Sequence, residues 1–76
     1  MIATHKVDEI TFDKNFMYLH ANGKPFKIAI DSVSSKLKAA DEIQRNFYKI
    51  SPSGYGIHWP LIDEDLSIDL LLKAAL

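Results

Sequence analysis

The sequence predicts a small α+β fold, β-β-β-α-β-β-α, with a mainly antiparallel sheet and helices packed on it. Three observations carry that prediction. The first half holds three runs rich in strand formers, separated by two turn signals, as the strands of a meander are. The run after Ser67 repeats apolar residues at helical spacing. The chain has 76 residues, 47% of them apolar and 25% charged, which suits one ordinary globular core and leaves too little chain to divide between two. A single domain over residues 1–76 is the expectation.

In order along the chain, Ile10 and Phe12 share a face of the first strand. Val7 falls out of that phase, so a bulge or an earlier strand start near Glu9 is expected. After Asp13-Lys14-Asn15 comes Phe16 to Ala21, apolar on both faces, with Met17, Leu19 and Ala21 on one and Phe16, Tyr18 and His20 on the other. It is read as the central strand. Asn22-Gly23 tolerates the positive φ of a two-residue hairpin, so Pro25 to Ile30 should fold back on it. From Ser32 the period turns helical through Val33, Leu37 and Ala40, with Asp31 or Ser32 as cap. Asp41 and Gln44 have the spacing of a capping box and open a second short turn.

A further strand pair is expected at Phe47 to Ile50 and Tyr55 to Trp59, joined by the turn-forming Ser51-Pro52-Ser53-Gly54. It completes a five-stranded sheet in which Tyr55, Ile57 and Trp59 share one face and Gly56 and His58 the other. Pro60 closes the last strand because it has no amide hydrogen for a ladder. In the final helix Ser67 is the cap, Asp69 lies in the first turn, and Ile68, Leu71, Leu72 and Ala75 form one stripe.

Composition narrows function by exclusion. Without cysteine there is neither a disulfide nor a thiolate metal site. No apolar run approaches the roughly 20 residues that span a bilayer, and the N-terminal MIATHKVDEITF carries acids where a signal peptide is apolar, so cytoplasm is the expected location and no membrane partner is expected. A net charge of -1 disfavours a protein that works by neutralising phosphates. The charges are nonetheless uneven. The central cations Lys36, Lys38, Arg45 and Lys49 make nucleic-acid binding the alternative reading, while Asp63, Glu64, Asp65 and Asp69 crowd the C-terminal part.

His58 beside Asp63, Glu64 and Asp65 raises the question of a metal or of acid-base chemistry. The spacing supports neither. No histidines stand four residues apart, and a calcium loop begun at Asp63 puts Ile68 where glycine is needed and Ala74 where a bidentate glutamate is needed. No nucleophile elbow or glycine-rich phosphate loop is present. No catalytic residue, metal or cofactor is therefore expected, and a metal-dependent enzyme at His58 ranks last. Tyr55, His58 and Trp59 are weighed as an aromatic platform for a base or peptide, against Trp59 as a core anchor whose indole N–H finds a carbonyl. Leu70 adds an apolar residue beside the stripe of the last helix, a surface for a partner or for self-association.

The segment SPSGYGIHWPLIDEDLSIDLLL resembles the C-terminal signature of the DUF2442 family, a small bacterial domain of unknown function. That signature has a Gly-Ile-His-Trp-Pro run, an Asp-Glu-Asp-Leu block and a short leucine-ending helix. The meander and Asp31 at the end of its third strand are compatible with it; Leu70 departs where the family is associated with glycine. The resemblance implies a compact α+β domain of the prokaryotic cytoplasm, with no established catalytic residue to carry over. It also implies a small protein partner, since members are often encoded beside a second small family in an arrangement similar to toxin-antitoxin pairs. The leading expectation is a non-enzymatic, antitoxin-like interaction protein that binds through His58, Trp59, Asp63, Glu64, Asp65 and Leu70.

Overall fold

The computed structural model describes residues 5–76. Strands β1 (Val7–Phe12), β2 (Phe16–Ala21) and β3 (Lys24–Ala29) form an antiparallel sheet in that order. β2 is central, as its two apolar faces require. Asn22 and Gly23 both take positive φ, 55° and 77°, which is the geometry of the tight hairpin turn. The register slips between Val7 and Glu9, where the sequence loses phase. Both edges of this sheet are blunted. The Tyr48 hydroxyl lies 3.4 Å from the Ile10 amide nitrogen and 3.5 Å from its carbonyl oxygen. On the other edge Pro25 has no amide hydrogen to offer, and the Leu76 amide donates to the Lys27 carbonyl.

The expected helical region is three short helices, α1 (Ile30–Val33), α2 (Ser35–Ala39) and α3 (Glu42–Asn46). Neither Asp31 nor Ser32 is a cap: both lie within α1, and the Ser32 hydroxyl donates to the Ala29 carbonyl. Ser34 caps α2 instead, accepting from the Leu37 amide. The capping box at Asp41 is complete, with Gln44 returning a bond to the Asp41 amide.

The second half differs from a fifth-strand extension of the first sheet. β4 (Lys49–Ile50), β5 (Gly56–Trp59) and β6 (Glu64–Ser67) form a separate antiparallel sheet. The added strand is β6, formed from the acidic block, for which the sequence predicts no strand. Alternation explains it: Leu66 is buried while its neighbours Asp65 and Ser67 are not, and Asp63 accepts a φ of 51° that turns the chain back after Pro60. β4 is shorter than expected because Phe47 ends α3 as its C-cap and is exposed. Helix α4 (Ile68–Ala74) follows at once, capped by Ser67, whose hydroxyl accepts from the Leu70 amide.

One apolar cluster joins the two halves. Met17, Leu19 and Ile28 from the first sheet meet Ile57 and Trp59 from the second, with Leu71 of α4 packed against β3 and β6. Arg45 is buried among them, yet satisfied: its guanidinium donates to the carbonyls of Leu37, Lys38, Asp13 and Lys14. No described helix is long and apolar enough to cross a membrane.

Candidate functional site

The solvent face of the second sheet is built from its register. Lys49, His58 and Asp65 lie side by side across β4, β5 and β6, two residues away from the Gly56–Ser67 pair, so these residues share one face. Ile50, Ile57 and Leu66 form the adjacent row and face the other way. The turn before β5 is held by its own side chain, because the Ser51 hydroxyl accepts from the amides of Tyr55 and Gly56. Gly54 within it has φ +69°, and a Cβ there would collide with the His5 carbonyl oxygen, so no other residue fits.

The result is a shallow concavity of about 630 Å³ on this sheet, with Pro52, Tyr55, Gly56, His58, Asp65 and Ser67 among its lining residues. Tyr55 is 55% exposed rather than packed with Ile57 and Trp59, because β5 begins only at Gly56. The His58 Nδ1 donates to the Asp65 carboxylate at 2.8 Å, which fixes the imidazole and leaves Nε2 facing outward from the pair. Both side chains remain wet, at 40% and 74% exposure, so the pair orients a contact surface and adds little stability.

The residues expected to bind a partner do not all reach this surface. Trp59 is fully buried and donates its indole N–H to the Arg45 carbonyl at 2.9 Å, which makes it a core anchor and removes it from any platform. Glu64 is turned toward the helices, where its carboxylate accepts from the Ser34 hydroxyl. Asp63 is exposed in the turn, and its carbonyl accepts from Lys36. Leu70 is 49% exposed on α4. The four central cations do not converge either: Lys36 is bound at Asp63, Lys38 at the Asn15 side chain, Arg45 is spent on backbone carbonyls, and Lys49 stands beside His58.

Sequence reasoning missed a second polar centre. Asp13 accepts from the Tyr18 hydroxyl at 2.7 Å and from the amides of Phe16 and Asn15. The Tyr18 bond, followed by the Phe16 amide, holds the Asp13 carboxyl below its ordinary range, and the same bond raises the Tyr18 phenol. The Asp13-Lys14-Asn15 turn was the available signal, since Asp bonds amides two and three residues on. Among the described residues no three His, Asp or Glu side chains gather as a metal site would need.

No curated protein and no solved structure matches the chain. The profile of a family described as "Protein of unknown function (DUF2442)" matches residues 7–76, and so covers both sheets and all four helices. The chain belongs to the DUF2442 family.

Proposed function

We propose that the protein is a non-enzymatic interaction module that binds a small protein partner on the solvent face of its second sheet, as the antitoxin-like member of a pair. One observation carries this reading: the open concavity bounded by Tyr55, His58 and Asp65. An exposed tyrosine beside a hollow is the type of anchor on which interface energy concentrates, and the Lys49–His58–Asp65 row places a cation at one edge of the sheet and a carboxylate at the other to set register with a partner. Leu70 adds exposed apolar area on the helix that leaves the same sheet. The open setting of His58 and Asp65 also supports binding over catalysis, because acid-base work calls for a group desolvated in a cleft.

Capture of the tagged chain from its host tests the reading, with Tyr55→Ser/Asp65→Lys as the comparison. Both positions are exposed, so the variant should fold as the wild type does. One small protein should be retained by the wild type and lost from the variant. Equal recovery from both would remove this face as the site.

A further inference from the structure

One row on the solvent face of the second sheet has almost no side chains. The Ser51 amide donates to the Gly56 carbonyl, and Gly56 pairs with Ser67, so these three small residues lie side by side across the sheet. The next row on that face, Lys49, His58 and Asp65, is tall and stands about 7 Å away along the strands. The fold does not require glycine in the low row. Gly56 has no positive φ, and a Cβ there would meet only the Leu66 carbonyl oxygen, at 3.3 Å. A strand glycine that the backbone does not demand marks a place where a ligand or another chain comes close.

His58 supplies the polar contact beside it. Its Nδ1 donates to the Asp65 carboxylate at 2.8 Å, so in the neutral ring Nε2 is an acceptor, and it has no partner among the described residues. We infer that the hollow takes an aromatic side chain carrying a donor, a tyrosine or tryptophan of the protein partner, an inference that rests on the interaction reading above. A flat ring laid on the low row covers the bare backbone at Gly56, as rings do over glycines within sheets. Its phenol O–H or indole N–H then meets the His58 Nε2. Lys49, which also lines the hollow, adds a cation that attracts the face of an electron-rich ring.

Other side chains fit less well. An aliphatic one would cover the Nε2 lone pair without supplying a donor. A carboxylate would bring another acceptor up to His58 and Asp65. An arginine is flat and donating, but Lys49 opposes its charge. The volume of about 630 Å³ lies within the roughly 300–1,000 Å³ of ligand pockets, which leaves room for the ring and for the backbone that carries it.

The test is titration of the isotope-labelled full chain with p-cresol, the tyrosine side chain as a free molecule, followed by amide NMR shifts. It should bind saturably with a Kd of about a millimolar and move the amides of Gly56, His58 and Ser67. Its methyl ether keeps the ring without the donor, and a methylcyclohexanol keeps the donor without the flat ring; each should bind about fivefold more weakly. Gly56→Ala should weaken p-cresol by about fivefold by raising the low row, and His58→Phe should make p-cresol and its ether equal. The amide spectrum of each variant separates lost binding from lost fold. No saturable binding, shifts confined to another surface, an ether as tight as the phenol in the wild type, or tighter binding of methylguanidinium would overturn the inference. Capture and titration fail separately. Cresol binding with no captured protein removes the interaction reading and leaves the ring preference of the hollow; a protein captured by the wild type and lost from Tyr55→Ser/Asp65→Lys, without cresol binding, removes the aromatic anchor alone.

Discussion

Trp59 donates its indole N–H to the Arg45 carbonyl, 2.9 Å away, and so ties the end of β5 to the end of α3 inside the core. Arg45 in turn binds carbonyls from α2 and from the β1–β2 turn. Through these two residues the second sheet, the helices and the first sheet form one packed unit. The tie also explains why the Trp-Pro corner serves the fold while its neighbours Tyr55 and His58 are free to serve contact.

Trp59→Ala should lower unfolding free energy by about 3–5 kcal/mol, the range for removing a large buried ring. Trp59→Phe keeps most of the volume but leaves the Arg45 carbonyl without its donor, at about 1–3 kcal/mol. Urea unfolding of the two variants separates packing from the hydrogen bond.

Arg45→Met should cost about 3 kcal/mol, because four backbone carbonyls lose a shared charged donor. Arg45→Lys should recover little, since an ammonium cannot reproduce the planar fork.

Gly54→Ala should be far more damaging than Gly23→Ala. Both residues have positive φ, which costs a residue with a Cβ about 1–2 kcal/mol. Around Gly23 there is nothing within 4 Å, whereas at Gly54 the new carbon would meet the His5 carbonyl. Thermal unfolding should show a modest fall for the first variant and loss of the native transition for the second.

Acid should expose the Asp13–Tyr18 bond. Asp13 has a lower pKa folded than unfolded, so its stabilising contribution is present above the ordinary value of 3.8 and is lost as pH falls through the depressed folded value. Tyr18 has the opposite sense: its contribution is present below 10.0 and lost as pH rises through the raised folded value. Tyr18→Phe should therefore flatten both limbs of the stability profile. The acid limb should persist in part through the amides of Phe16 and Asn15.

Much of this fold is legible in the residues. Asn22-Gly23, the phase break at Val7, the capping box at Asp41 and the Ser67 cap each act over a few positions, so local chemistry announces them. What escaped was set by tertiary partners. Glu64 and Asp65 resemble a helix lead-in until pairing with β5 makes them a strand, and Arg45 resembles a surface cation until the carbonyls around it are seen. The candidate site divides in the same way. The His58–Asp65 pairing was foreseeable from their proximity, but the burial of Trp59 and the outward turn of Tyr55 depend on where β5 begins.

The most direct test of the interaction reading replaces Tyr55 with a photo-reactive residue in the host cell, with the same replacement at Thr11 on the first sheet as the control. Both positions are exposed. Irradiation should give one discrete protein adduct from position 55, abolished by Asp65→Lys, and no such adduct from position 11. If position 55 yields no protein adduct while the chain is folded and abundant, the second sheet does not bind a partner and the interaction reading fails.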